Sequence, residues 1–96
     1  MIQYKFVRVE PLIDRTTNNV IKFVVGMSAT DEETGMNSYI DTVKSVTDQK
    51  PLDQWTIDEI RNLCLQVAEE NDWYNILANQ ISSLLQQPIY GQNIQV

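Results

Sequence analysis

Ninety-six residues, 43% of them hydrophobic and with only three Gly and three Pro, suit one domain with a single core; they exclude a second domain, collagen-like repetition and global disorder. Thirteen acidic against seven basic side chains give a formal net charge of −6. Because phosphate recognition needs clustered Lys and Arg, neither direct nucleic-acid binding nor binding to an anionic membrane surface is expected.

From the amino end, β-branched and aromatic residues dominate Ile2 to Ile13 and again Val20 to Ala29, the composition of strands. In the second stretch Ile21, Phe23, Val25, Met27 and Ala29 alternate onto one face. In the first, Ile2, Tyr4 and Phe6 share a face while Val7 and Val9 fall on the other, which requires a bulge or partial cover of both faces. The run Asp14-Arg15-Thr16-Thr17-Asn18-Asn19 between them is turn-forming, so the two strands read as a hairpin. Asp31-Glu32-Glu33-Thr34-Gly35 makes a second turn, with Gly35 available for a left-handed conformation. A third strand then runs from Asn37 to Val46, and its weak alternation suits a sheet edge.

The period changes in the second half. Thr56, with Glu59 three residues on, forms a capping box ahead of Ile57, Ile60, Leu63, Cys64 and Val67 at helical spacing. Glu69-Glu70-Asn71-Asp72 interrupts that stripe, and Trp73, Ile76, Leu77, Ile81, Leu84 and Leu85 resume it in a shifted phase, as two helices would. A heptad-like stripe through Ile57, Ile60, Cys64, Val67, Asn71, Tyr74, Ala78, Ile81 and Leu85 equally permits one long helix over 56–87. Pro88 ends either version. The reading is therefore α+β: a three-stranded antiparallel sheet followed by two C-terminal helices, or one long one, packed on one face. It is a single domain over 1–96, with a sheet part at 1–50, a helical part at 51–88 and a tail at 89–96. The expected core is Phe6, Ile21, Phe23, Val25, Ile60, Leu63, Val67, Ile76 and Leu84, with Trp55 and Trp73 near the junction of sheet and helices and their ring nitrogens hydrogen-bonded.

Catalytic chemistry finds little to work with. Histidine is absent, which removes the usual proton-transfer side chain near neutral pH and the commonest metal ligand. One thiol cannot make a Cys/His zinc site or an intrachain disulfide, and Cys64 on the apolar stripe reads as a small hydrophobe. The scattered glycines Gly26, Gly35 and Gly91 form no phosphate-cradling loop. The run Asp31-Glu32-Glu33 lacks the alternating ligand spacing of a calcium loop and reads as a solvated turn, and Asp58 and Glu59 read as helix-dipole partners. No catalytic residue, cofactor, metal or small-molecule substrate is assigned, and a non-enzymatic role is expected.

One feature stands out against that background. From Trp73 to Val96 runs an uncharged stretch of 24 residues containing three Asn and five Gln, in a chain that is 21% charged overall. Exposed helix faces normally carry Lys and Glu, whereas the centres of protein interfaces are depleted of charge. The residues expected to form an interface are Trp73, Asn75, Ile76, Asn79, Gln80, Ser83, Gln86, Gln87, Ile89 and Tyr90. The partner would be another protein or a second copy of the chain. A different asymmetry offers an alternative: between Asp53 and Asp72 lie six acids and one base, Arg61, so this acidic element could occupy a basic groove on a host protein as a regulator or inhibitor.

The order of three strands, then Leu52-Asp53-Gln54-Trp55 leading into a capped helix, then Ile81-Ser82-Ser83-Leu84-Leu85-Gln86-Gln87-Pro88 and a short tail, resembles small accessory proteins encoded by tailed bacteriophages. The tail Ile89-Tyr90-Gly91-Gln92 departs from the proline-richer tails of that group. The resemblance covers the layout, transfers no functional residue, and implies a virion component or an assembly factor. With no apolar run near the ~20 residues that span a bilayer and no signal-peptide pattern after Met1-Ile2-Gln3-Tyr4, the host cytoplasm or the virion is the expected location.

Overall fold

A computed structural model describes residues 1–86. It contains three strands, β1 (Ile2–Ile13), β2 (Val20–Asp31) and β3 (Asn37–Lys50), a short 3-10 turn over Leu52–Gln54, and two helices, α1 (Ile57–Glu70) and α2 (Trp73–Leu85). The sheet is antiparallel in the order β1-β2-β3, so β2 is central and both other strands are edges. The α+β architecture read from the sequence is the one observed.

Turn chemistry sets the two hairpins. Asp14 accepts from the amide of Thr16 at 2.9 Å, and Asn18 takes a left-handed φ of 63°, which Asn tolerates better than most side chains. In the second hairpin the carboxylate of Asp31 accepts from the Thr34 hydroxyl at 2.9 Å, and Gly35 sits at φ 75°. Of the acidic run expected to be solvated, Asp31 is instead buried and braces the turn, also accepting from the Glu33 amide, while Glu32 and Glu33 are exposed.

The phase conflict in β1 is resolved by a bulge between Phe6 and Arg8. Paired residues in an antiparallel ladder share a face, so the register places Ile2, Tyr4 and Phe6, and then Val9, Pro11 and Ile13, opposite the inward face of β2. A second irregularity sits at the start of β2, where Val20 pairs with Lys50 and Lys22 with Ser45. This shift corrects one core assignment: Val20 is fully buried and Ile21 only half-buried, because the slip transfers the inward position by one residue. The inward face of β2 is otherwise as expected, with Phe23, Val25, Met27 and Ala29 buried.

The two-helix alternative is the one realised. Thr56 caps α1 as a complete capping box, its hydroxyl accepting from the Glu59 amide at 3.1 Å while the Glu59 carboxylate accepts from the Thr56 amide at 3.0 Å. No Gly or Pro breaks the chain between the helices. Asp72 instead adopts a left-handed φ of 55° and ψ of 38°, a conformation a short polar side chain can hold. Asn71 donates to the Val67 carbonyl at 2.8 Å, and Asp72 accepts from the Asn75 side chain at 2.9 Å. The single long helix over 56–87 is therefore not formed.

Three cross-links show how the helices lie. Lys50 meets Glu59 at 2.6 Å, Lys44 meets Glu70 at 2.8 Å, and Ser38 hydrogen-bonds to Gln80. As the helix numbers rise the β3 numbers fall, so α1 and α2 run one after the other antiparallel to β3 along the same sheet face. They bury Cys64, Val67 and Ala68 from α1 and Trp73, Leu77 and Ile81 from α2 against the inward face of the sheet, together with Val46. Phe6, Ile60 and Leu63 pack on this core half-buried. Two further core assignments need correction: Ile76 is half-buried and Leu84 is exposed, because the apolar stripe of α2 is centred on Leu77 and Ile81 and these two flank it.

Candidate interaction surface

Tyr4 of β1 donates to the Tyr74 carbonyl at 3.0 Å, with the two rings in edge contact at 4.9 Å, so one side of α2 leans toward β1. The helical period then turns Ile76, Asn79, Gln80 and Ser83 toward β3. With Ser38 and Leu84 they line an open groove of about 590 Å³ between α2 and the amino half of β3. Half-buried Ile76 and exposed Leu84 supply apolar surface, the two amides and two hydroxyls supply donors and acceptors, and no lining residue is charged.

Of the ten interface residues expected from the sequence, four come together in this groove: Ile76, Asn79, Gln80 and Ser83. Asn75 and Gln86 are exposed but do not line it. Trp73 is a correction. Only 2% of its surface is accessible, so its ring belongs to the core of the protomer and presents nothing to a partner. Gln87, Ile89 and Tyr90 lie outside the described residues. Sequence reading missed Ser38, which pairing brings to α2 from 42 positions away, and it placed Leu84 inside. Periodicity carries no signal for the first, and for the second it could not say that the buried stripe is centred on Leu77 and Ile81.

The acidic element is less acidic than its composition. Asp58 pairs with Arg61 at 3.3 Å, Glu59 with Lys50 and Glu70 with Lys44, which leaves Asp53, Glu69 and Asp72 without a cationic partner among the described residues. Lys50 also reaches Asp48 at 3.3 Å and lies 4.9 Å from the Trp55 ring centroid, while Trp55 stacks edge-on against Phe23 at 5.1 Å. The Trp55 indole N–H, expected to find an acceptor, is enclosed without one among the described residues.

Hydrogen bonds from Lys50 and from the Thr56 amide hold the Glu59 carboxyl down to about 2 from an ordinary 4.5. A carboxyl depressed in the folded state adds stability that is present above its unfolded value and is lost as pH falls through its folded one. A Glu59→Gln variant keeps the cap but removes the charge. Its melting temperature should therefore fall below that of the wild type by a constant amount at neutral pH, with the gap narrowing below pH 4.5 and closing near pH 2. A gap independent of pH would show that the charge does not matter.

On the opposite face of the sheet, Arg8 bonds to Glu10 at 2.8 Å and to Asp41 at 3.2 Å, and Tyr39 donates to Asp41 at 3.1 Å. Tyr39 lies so close over Gly26 that a Cβ there would overlap its hydroxyl, so this exposed aromatic covers the bare backbone of the central strand. The bond to Glu10 raises the Arg8 pKa and lowers that of Glu10. Both side chains are exposed, and the network reads as the wet face of a two-layer fold. Cys64 is buried, which raises its pKa. Among the described residues no three His, Cys, Asp or Glu side chains are grouped to hold a metal, and no helix is long and apolar enough to cross a membrane. Two smaller grooves contain one carboxylate each, Asp53 and Asp48.

Fold and surface together define a two-layer α+β chain with one wet sheet face and a neutral groove beside an edge strand. It matches no protein-family model, no curated protein and no solved structure.

Proposed function

We propose that this chain is a non-enzymatic structural or interaction subunit that docks on protein through the uncharged side of α2, in the manner of a phage virion or assembly accessory protein. The observation that carries the reading is the neutral groove of Ser38, Ile76, Asn79, Gln80, Ser83 and Leu84 on a chain otherwise well supplied with charge. A surface meant only for water would carry Lys and Glu there, whereas amides, hydroxyls and half-exposed aliphatics can be desolvated at modest cost when a partner supplies matching groups. The alternative, an acidic binder of a basic groove, has less support because half of the acids between Asp53 and Asp72 are already paired within the protomer.

The test compares wild type with Asn79→Lys/Ser83→Lys. Both positions are exposed, so folding stability should change by no more than ~0.5 kcal/mol. Light scattering after size exclusion, and co-purification from the producing cells, should show wild-type assembly or a retained partner that the variant loses. A wild type that is monomeric and retains nothing, or a variant that associates as well as wild type, overturns the reading.

A further inference from the structure

The two edges of the sheet are unlike. β1 carries a bulge between Phe6 and Arg8, a further register break before Ile13, and Pro11, which has no N–H to donate. Bulges and prolines of this kind blunt an edge against pairing. β3 pairs with β2 without interruption from Asn37 to Ser45, contains no Gly or Pro in that stretch, and has no backbone partner on its outer side among the described residues. This smooth edge adjoins the neutral groove of α2, through Ser38 and Gln80. An edge strand flanked by a groove is the arrangement on which an added strand gains main-chain hydrogen bonds and seats its neighbouring groups.

The lack of charge points to one occupant. Where two copies meet about a two-fold axis, each side chain near the axis lies close to a copy of itself, so any charge there faces its own like. A different partner could answer a charge with its opposite, and selection for it would not require neutrality. Amides and hydroxyls, which donate and accept at once, are self-complementary. The groove side of α2 offers Asn79, Gln80 and Ser83, with no charged residue anywhere in the helix.

We infer that a second copy of this chain adds to the β3 edge over Asn37–Val43, antiparallel and about a two-fold axis, giving a continuous six-stranded sheet with the two α2 helices side by side on one face. This rests on the docking role proposed above and names its partner. Strands paired at ~4.8 Å bring the facing sides of the two helices within side-chain reach, so each groove is filled by the other copy's α2. Asp41 then lies off the axis, because on it the carboxylate would face its own copy.

Two measurements test it. Asn79→Lys and Asn79→Glu proteins, each alone, should dimerise about tenfold or more weakly than wild type, and an equimolar mixture should recover association. Of the exposed groove residues on α2, Asn79 lies closest to the level of the axis, and opposite charges now meet there. In the wild type, outward amides within 37–43 should exchange more slowly with solvent at concentrations that favour the dimer, while those of β1 do not change. If the mixture associates no better than either protein alone, or if the wild type stays monomeric, the second copy is the wrong occupant, though docking of a different protein on α2 is untouched. If the mixture recovers but the 37–43 amides are unaffected by concentration, the copies meet through α2 alone and the continuous sheet is overturned.

Discussion

Replacing Trp73 by alanine is expected to lower the free energy of unfolding by about 3–5 kcal/mol, a size typical of a large aromatic removed from a closed core. The ring is 2% exposed and opens α2 immediately after the left-handed Asp72, so it belongs to the core shared by both helices and the sheet, at the break between α1 and α2. Each kcal/mol corresponds to roughly 4–8 °C in a domain of this size, so thermal unfolding should show a fall well beyond 10 °C. Had Trp73 been an interface anchor, the protomer would keep its stability and lose only association. Unfolding within a few degrees of wild type would contradict its place in the core.

Phe23→Ala should be comparably costly, again about 3–5 kcal/mol, for a second reason besides lost area. Phe23 is 1% exposed on the central strand, and its ring supports Trp55, over which Lys50 lies on its way to Glu59. Removing the ring takes away the floor under Trp55 and with it the anchor for the start of α1. The variant should therefore lose more than the volume change alone implies, and Trp55 fluorescence in the folded state should shift toward that of a solvated indole. A melting temperature near wild type, with unchanged fluorescence, would show that the two rings are independent.

These effects bear on function by separating two sides of α2. One side, Trp73, Leu77 and Ile81, holds the protomer together; the other, Asn79, Gln80 and Ser83, can be changed without touching the core. Variants of the first kind should lose fold and association together, and those of the second only association.

Strand and helix identities were legible because they depend on local periods: alternation in β2, the capping box at Thr56, turn chemistry at Asp14 and Gly35. The bulge after Phe6 was legible only as a conflict of phase, since a single strand cannot say whether it is kinked or covered on both sides. Ile21 and Leu84 were misplaced for a related reason: each has the right residue type at a plausible phase, but a register slip moved one and the centring of the buried stripe of α2 on Leu77 and Ile81 left the other at its flank.

By itself the amino-acid sequence determined the α+β class, the single core, the absence of histidine chemistry and the uncharged carboxyl-terminal stretch, because these follow from composition and short-range spacing. Tertiary structure alone decided which residues of that stretch are spent on the core, which remain at the surface, and that Ser38 stands beside them. It also decided that one sheet edge is blunted and the other smooth. Local patterns record what a residue prefers, whereas a groove or an open edge exists only once distant segments have been paired, and pairing across 42 positions leaves no trace in the spacing of either segment.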